Sequence, residues 1–264
     1  MSVAVVTGGG RGVGRVIAEA LAAEGFAICV AARTGAEVED VADGINSGGG
    51  RAVSVTADAT NPGDVERALA EAEQQLGPID VLVNNAGTAR AIGPVWEVDP
   101  EEWWQDVGSS VRSAFLCSRA VLPRMLERGT GRILNVSSYV AVRPTPFISG
   151  YAAAKAAVLS LTEALAASVE ATGIRVFALT PGRFWSELMQ HLIESEAGRR
   201  WLPGIEEGRW VEPERVACLA VFLASGEGDA FHGRFLHALD DLDELVERAD
   251  EISREDLFTP RLRR

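Results

Sequence analysis

The apolar residues of this chain follow two patterns that alternate along its length. Residues 3–6 form a short apolar run without internal alternation, which is typical of a parallel strand buried on both faces. Further strands are predicted at residues 26–32, 52–57, 79–83, 133–136, 174–179 and 233–237. After the first run, apolar residues recur with helical spacing at Val16, Ile17, Ala20 and Leu21, which predicts an amphipathic helix.

The regular alternation of strands and helices predicts an α/β fold with a doubly wound parallel sheet, the Rossmann fold. Asn61-Pro62 and Asp99-Pro100 predict two helix starts, because a polar cap precedes a proline at the first helical position. With 264 residues, 47% of them hydrophobic, the chain can bury one large core. We predict one domain over 1–238, with a pocket-covering segment at 183–210, and a C-terminal extension of it at 239–264.

Composition and charge narrow the possible partners. The formal net charge of −13 argues against nucleic acid and against an anionic membrane, because both require a basic surface. The first strand begins at residue 3, which leaves no room for a signal peptide, and no apolar run approaches the length of a membrane span. We therefore predict a cytoplasmic protein. Three scattered cysteines and three distant histidines predict neither a disulfide framework nor a metal site.

A glycine-rich turn joins the first predicted strand to the first helix. Residues 7–14 read Thr-Gly-Gly-Gly-Arg-Gly-Val-Gly. Glycines let the backbone approach a pyrophosphate closely, and the helix N-terminus offers free N–H groups and a positive dipole end. A plain turn is the alternative. The strand, glycines and helix together favour a dinucleotide site made by Gly8, Gly10, Arg11, Gly12, Val13 and Gly14.

The tip of the second strand bears on the choice of dinucleotide. An acidic residue there favours NAD, and an arginine accommodates the 2′-phosphate of NADP. The strand runs into Arg33, which lies 19 residues after Gly14, and Arg11 can add a second positive charge. NADP is therefore favoured over NAD. Glu37 keeps the alternative open, because its carboxylate can reach a ribose hydroxyl.

One lysine stands out in a chain whose other 24 basic residues are arginine. Lys155 follows Tyr151, one of only two tyrosines, by four residues, and on a helix this spacing places both side chains on one face. An ammonium group beside a phenol lowers the phenol's pKa toward working pH, which suits a general acid or base. The alternative is a pocket tyrosine and a solvated lysine. Ser138 follows the fifth strand and reaches the same edge of the sheet.

Taken together, these motifs resemble the short-chain dehydrogenase/reductase family, over about residues 3–237. The turn at 7–14 matches the family's Thr-Gly-x-x-x-Gly-x-Gly, residues 84–87 its Asn-Asn-Ala-Gly, and Pro181-Gly182 its nicotinamide-side turn. Within the family the chain is similar to NADP-type 3-oxoacyl-carrier-protein reductases and related ketoreductases. The resemblance implies reversible hydride transfer between NADP(H) and a carbonyl or secondary alcohol, in a homo-oligomer, either dimer or tetramer.

The resemblance also implies roles for individual residues. Asp58 would hold the adenine ring, Lys155 would bind the nicotinamide ribose and lower the pKa of Tyr151, and Ser138 would position the substrate oxygen. Ser110 stands where the family usually has an asparagine that helps to hold a water of the proton relay. Other expected cofactor contacts are Ala59, Asn85, Ala86, Gly87, Pro181, Gly182 and Phe184.

The substrate and the tail are less well defined by the sequence. The segment 183–210 carries the apolar residues Phe184, Trp185, Leu188, Met189, Leu192, Trp201 and Trp210. They favour a bulky or aromatic apolar small-molecule substrate, with packing of a lid or a subunit contact as the alternative. A sensor or scaffold without turnover is the competing function, with Ser110 as its support. A dehydratase or epimerase is disfavoured, because the chain lacks the longer C-terminal substrate domain that such relatives often have.

Beyond residue 238 the sequence predicts an acidic amphipathic helix. Its apolar stripe consists of Leu242, Leu245, Val246, Ala249 and Ile252, and an apolar stripe needs a surface to cover. We expect the tail to dock on its own domain or on a neighbouring subunit. A frayed acidic terminus is the alternative.

Overall fold

The computed structural model describes residues 1–261 and contains a seven-stranded parallel sheet. The strand order is β3-β2-β1-β4-β5-β6-β7, and every neighbouring pair is parallel. The strands are β1 (Val3–Thr7), β2 (Ala27–Ala32), β3 (Arg51–Thr56), β4 (Ile79–Asn84), β5 (Gly131–Val136), β6 (Ile174–Thr180) and β7 (Phe235–His237). This topology confirms the predicted doubly wound α/β fold in a single domain.

Helices cover both faces of the sheet. Those of the main domain are α1 (Gly12–Ala23), α2 (Gly35–Ser47), α3 (Pro62–Leu76), α4 (Pro100–Val107), α5 (Ser113–Arg128), α6 (Ser149–Val169), α7 (Glu187–Glu194), α8 (Glu196–Trp201) and α9 (Pro213–Ser225). One buried cluster joins α1, α2 and α9 to one face, and a second joins α3, α5 and α6 to the other. Both faces of each central strand are therefore buried, as the unbroken apolar runs require.

Two helix starts are capped as the sequence predicts. The side chain of Asn61 accepts hydrogen bonds from the N–H groups of Gly63 and Asp64, at the start of α3. Asp99 does the same for Glu101 and Glu102 at the start of α4. These caps satisfy N–H groups that have no partner inside the helix. The prolines in the first turn need no such partner, because proline has no backbone N–H.

The strand order reverses between β1 and β4, and this reversal opens a crevice at the carboxyl edge of the sheet. Thr7 pairs with Asn84 at the ends of these two strands. The N–H of Asn85 donates to the hydroxyl of Thr7 at 3.1 Å, and the Asn85 amide donates to the carbonyl oxygens of Thr7 and Gly8. The Asn-Asn-Ala-Gly segment thus fixes the start of the glycine turn.

The acidic tail differs from the single helix predicted. It forms two short helices, α10 (Leu242–Glu247) and α11 (Ala249–Arg254), and the backbone leaves the helical conformation at Arg248. Leu245 and Ile252 are buried in the cluster that contains α1 and α9, whereas Val246 is 53% exposed. The prediction of a continuous stripe was wrong, because the bend follows the surface of the domain and leaves Val246 outside.

Helix α6 bears on the prediction that no apolar run approaches the length of a membrane span. It is 21 residues long and, by length and composition alone, is apolar enough to cross a membrane. The sequence shows no unbroken run there because Lys155 and Glu163 interrupt it. Its apolar residues include Ala154, Val158 and Leu159, which are buried, and the helix packs against β5 and β6.

Candidate functional site

One continuous cleft of about 1340 Å³ runs along the carboxyl edge of the sheet. This volume exceeds that of a typical small-ligand pocket, so the cleft has room for a dinucleotide together with a substrate. Most of the predicted site residues lie on its walls. They are Gly8, Gly10, Arg11, Gly12, Val13, Arg33, Asp58, Ala59, Asn85, Ala86, Gly87, Ser138, Tyr151, Lys155, Pro181, Gly182 and Phe184.

The glycine turn has the geometry that a dinucleotide requires. Gly8 and Gly12 have positive φ angles of 63° and 54°, a conformation that side chains disfavour. Helix α1 begins after Arg11 without a side-chain cap and without an acidic residue in its first turn. Its N-terminal N–H groups are therefore available to an anion, and this arrangement fits a pyrophosphate.

Gly14 has a different role from the one predicted. It does not line the cleft. A Cβ at this position would lie 2.2 Å from the carbonyl oxygen of Gly8 and 2.5 Å from the amide nitrogen of Asn85. Gly14 is required for close packing of α1 on the turn, and it makes no contact with the cleft that a cofactor would occupy.

The adenosine end of the cleft carries both charges that the sequence singles out. Arg33 is exposed at the tip of β2 and lines the cleft. Arg11 lies 3.4 Å from Glu37, and the Arg11 side chain is 57% exposed. An exposed pair of this kind contributes little to stability, so either side chain can turn to a ligand. Asp58 uses one carboxylate oxygen to accept hydrogen bonds from Thr60.

Lys155 and Tyr151 lie together at the opposite end of the cleft. Lys155 is only 4% exposed, and its Nζ donates a hydrogen bond of 2.9 Å to the carbonyl oxygen of Val136. The ammonium lies 5.5 Å from the centroid of the Tyr151 ring. The Ser137 hydroxyl donates to the carbonyl oxygen of Lys155 at 2.9 Å. The end of β5 thus holds the first turns of α6 in place, and the lysine is not on a solvated face.

The pKa of Tyr151 shifts in the opposite direction from the one predicted. Burial raises the pKa of Tyr151 above its ordinary value, a hydrogen bond with Ser138 opposes this change, and the charge of Asp106 adds to it. Burial lowers the pKa of Lys155 to about 8. The prediction that Lys155 lowers the pKa of Tyr151 does not hold for the protein alone. Removal of the phenol from water is the largest cause of the raised pKa, and the charge of Lys155 is not among its causes.

Ser110 lies behind the cleft wall and not on it. It is buried within a π-helical segment, Gly108–Arg112, that separates α4 from α5. A Cβ on Gly87 would lie 2.7 Å from the Ser110 hydroxyl and 3.3 Å from Lys155 Nζ. The hydroxyl has no hydrogen-bond partner among the described residues. The Ser110 hydroxyl therefore lies near Lys155 and has a free hydrogen-bonding atom. Both features are expected of a position that holds a water.

Asp106, which was not predicted from the sequence, shapes the site. Its fully buried carboxylate accepts hydrogen bonds from the Thr88 hydroxyl and from the N–H groups of Arg90 and Ala91. These bonds anchor the loop that follows β4 to helix α4. No sequence motif marks Asp106, because its partners come from a loop 15 to 18 residues earlier.

The wall around Tyr151 is apolar. A small cluster connects Tyr151 with Phe147, Leu188, Met189 and Trp201, and the rings of Phe147 and Trp201 lie 5.1 Å apart. Phe147, which sequence analysis also missed, has a φ angle of 65°, a conformation rare for aromatic residues. The segment 183–210 therefore covers this end of the cleft.

Two of the predicted apolar pocket residues lie elsewhere. Trp185 and Trp210 do not line the cleft, and their rings pack against each other with centroids 5.4 Å apart. For these two tryptophans the alternative of packing within the lid is correct. The other five apolar residues named for this segment do line the cleft, namely Phe184, Leu188, Met189, Leu192 and Trp201.

Known proteins share this sequence pattern. The family model described as short chain dehydrogenase matches residues 2–197. The 5-keto-D-gluconate 5-reductase of Escherichia coli strain K12 is 32% identical, over 88% of this chain and 91% of the relative. The 3-oxoacyl-[acyl-carrier-protein] reductase of Vibrio cholerae is 34% identical, over 89% of this chain and 94% of the relative.

A solved structure agrees with the fold. A variant of actinorhodin polyketide ketoreductase, determined with NADPH, superimposes with a TM-score of 0.81 at 31% identity. The match covers 89% of this chain and 95% of the ketoreductase. The predicted similarity to 3-oxoacyl-carrier-protein reductases and related ketoreductases is thereby confirmed. The chain belongs to the short chain dehydrogenase family and is an oxidoreductase that acts on ketone or alcohol substrates.

Proposed function

We propose that the protein is an NADP-dependent ketoreductase that transfers hydride between NADP(H) and the carbonyl or secondary alcohol of a small molecule. One observation carries the proposal. The half-buried Tyr151 and the buried Lys155 face the apolar end of the same cleft whose other end is the glycine turn and Arg33. A dinucleotide on the turn would therefore extend toward the only lysine of the chain.

Proton transfer in this proposal belongs to Tyr151. Its raised pKa keeps the phenol protonated at neutral pH, so the hydroxyl can donate to a carbonyl oxygen that gains negative charge in the transition state. Ser138 interacts with the phenol and can bind the same oxygen. Bound NADPH would supply the hydride.

Lys155 would act on both partners of the reaction. Held by Val136, its ammonium can turn a second N–H to the ribose hydroxyls of the nicotinamide end and can stabilise the phenolate that remains after proton transfer. The free hydroxyl of Ser110 would hold a water beside Lys155, through which the proton is replaced. A serine can perform this function because a hydroxyl both donates and accepts hydrogen bonds.

The preference for NADP rests on the two arginines at the adenosine end. Arg33 is exposed at the tip of β2, and Arg11 can leave Glu37 to reach a 2′-phosphate. The relatives add support, since the polyketide ketoreductase structure contains NADPH. The substrate in this proposal has a bulky apolar part, because Phe147, Leu188 and Trp201 form the wall around Tyr151.

The test is oxidation of NADPH, followed at 340 nm, with a panel of aliphatic, aromatic and sugar-derived ketones. NADH is measured in parallel, and the reverse reaction is measured with the corresponding alcohols. Turnover of any ketone or alcohol in the panel would exclude the alternative of a sensor or scaffold. If no member reacts in either direction, while NADPH binds with micromolar affinity, that alternative replaces the ketoreductase. A cytoplasmic location and a homo-oligomeric state remain predictions of the sequence.

A further inference from the structure

We propose that Arg183 binds an anionic group of the substrate, so that the preferred substrates are carbonyl compounds that also carry a carboxylate or a similar anion. This inference rests on the proposed function and names the substrate class of the same site. Arg183 directly follows Gly182 at the carboxyl end of β6 and lines the cleft. It is thus on the wall that also carries the nicotinamide-side turn.

Arg183 is partly buried, and one nitrogen of its guanidinium is buried without a matching partner. Its Nη1 has no hydrogen-bond acceptor among the described residues, and no described carboxylate forms an ion pair with it. A buried donor without an acceptor is costly, and a buried charge more so. Because Arg183 as a whole is only partly buried and lines the cleft, a ligand can reach its guanidinium and supply the acceptor that the described residues do not.

The surrounding residues make a cradle for this cation. The ring of Trp210 lies 6.0 Å from the guanidinium carbon, within the range of a cation–π contact. Gly208 has a φ angle of 112°, and a Cβ there would lie 2.6 Å from Nη1. The N–H of Val211 donates to the carbonyl oxygen of Arg183 at 2.8 Å. The backbone of Arg183 is therefore held, and its Nη1 packs against Gly208. The other nitrogens of the guanidinium are left for a ligand in the cleft.

The charge of the cleft agrees with an anionic ligand. The whole chain carries −13, yet six cationic and four acidic side chains line the cleft. Arg11 and Arg33 belong to the adenosine end of the cleft, whereas Arg90 and Arg143 do not. Arg90 and Arg143 form no ion pair with a described residue. A cleft with excess positive charge on an acidic protein attracts anions selectively.

A second arginine provides a matched control. Arg124 also has a buried Nη1 without a hydrogen-bond partner. It differs in two respects, because its guanidinium lies 3.3 Å from the carboxylate of Glu73 and it does not line the cleft. Substitution of either residue removes the charge of a partly buried arginine. Only the substitution of Arg183 should weaken the binding of an anionic ligand in the cleft.

The experiment uses pairs of ketones that differ in one charge, such as 4-acetylbenzoate with 4-acetylbenzamide and levulinate with levulinamide. We expect wild-type kcat/KM with NADPH to favour the acids by at least about tenfold, as for a charge-assisted hydrogen bond. Arg183→Gln should abolish most of this preference, Arg183→Lys should keep part of it, and Arg124→Gln should leave the acid-to-amide ratio unchanged.

Binding of 4-acetylbenzoate to the protein, measured by calorimetry, separates this inference from the proposed function. If no ketone turns over but binding weakens at least about tenfold in Arg183→Gln relative to Arg124→Gln, the ketoreductase proposal fails and the anion site stands. If the amides react as well as the acids, or if the two glutamine variants behave alike, the inference is wrong and the ketoreductase stands. If Arg183→Gln does not fold, the inference is tested by the acid-to-amide ratio of kcat/KM in the wild type and in Arg183→Lys.

Discussion

The ammonium of Lys155 donates a 2.9 Å hydrogen bond to the carbonyl oxygen of Val136, which ties helix α6 to the last residue of strand β5. The Ser137 hydroxyl adds a second tie to the backbone of Lys155. Because Tyr151 lies one helical turn before Lys155, these two bonds also fix the phenol relative to the sheet. Tyr151 and Lys155 are thus held on the end of a buried strand.

Replacing Tyr151 tests the proton donor. We expect Tyr151→Phe to lower kcat at least about 10³-fold, within the range that general acids contribute, while NADPH affinity changes by no more than a few fold. The phenolic proton is needed in the transition state and little in the binary complex. Steady-state kinetics and fluorescence titration of NADPH measure the two quantities. A variant that keeps most of its kcat would show that Tyr151 is not the acid.

The lowered pKa of Lys155 predicts how stability changes with pH. Its pKa falls from 10.5 to about 8 in the folded chain, so between these values the unfolded chain binds more protons and this residue's contribution to stability rises with pH. Lys155→Met removes the contribution. The stability of this variant relative to wild type should therefore be greatest at pH 7 and should decrease by about 3 kcal/mol toward pH 10.5.

Urea denaturation of both proteins at several pH values between 7 and 10.5 measures this difference. Burial raises the pKa values of Cys29 and Cys117 to about 12. At high pH these thiols therefore lose protons when the chain unfolds, which also changes the free energy of unfolding. Their effect is common to both proteins and cancels in the comparison. If the difference in the free energy of unfolding stays constant with pH, Lys155 does not carry the lowered pKa.

Local signals explain why the fold class and most of the cleft could be predicted from the sequence. Short apolar strand segments, polar caps followed by proline and the glycine turn each specify their own backbone. The pair Tyr151 and Lys155 was also found locally, since one helical turn brings the two side chains together. The pKa of Tyr151 was predicted in the wrong direction, because burial is a property of the whole fold and not of a spacing.

Features that depend on distant segments were not predicted. Asp106 holds a loop that lies on another element, and no pattern in the sequence relates the two. Trp185 and Trp210 pair with each other across the lid, and apolar composition alone cannot separate such a contact from a pocket wall. Arg183 was visible only as one of many arginines until its surroundings were known.

The arginine at the tip of β2 predicts the choice of cofactor. We expect kcat/KM with NADPH to exceed that with NADH by at least about tenfold, equivalent to about 1.4 kcal/mol. Arg33→Gln should remove most of this preference and Arg33→Asp should reverse it, because the carboxylate repels a 2′-phosphate and accepts from a ribose hydroxyl. Arg15→Gln is the matched control, since Arg15 is partly exposed and does not line the cleft.

Glu37 supplies an independent test of the same site. Its carboxylate lies 3.4 Å from Arg11 and competes with a 2′-phosphate for that cation. Glu37→Gln should therefore increase the preference for NADPH over NADH by a few fold and leave kcat unchanged. Equal use of the two cofactors by the wild type, or a fall in NADPH preference in Glu37→Gln, would contradict the roles assigned to Arg33 and Arg11.

The tail provides the last prediction, on stability. Leu245 in α10 and Ile252 in α11 are buried in the cluster shared with α1 and α9, and the N–H of Phe235 on the edge strand β7 donates to the carbonyl oxygen of Phe258 at 2.9 Å. Leu245→Ala and Ile252→Ala should each lower the free energy of unfolding by about 2–5 kcal/mol, as for other large-to-small substitutions in a core. Val246→Ala, one position away from Leu245 and exposed, should change the free energy of unfolding by no more than about 0.5 kcal/mol.

Urea denaturation measures the free energy of unfolding of all three variants. Light scattering of a chain ending at residue 238 shows whether uncovering the edge of β7 changes the assembly. Equal effects of Leu245→Ala and Val246→Ala would mean that the tail does not dock in solution as it does in this structure.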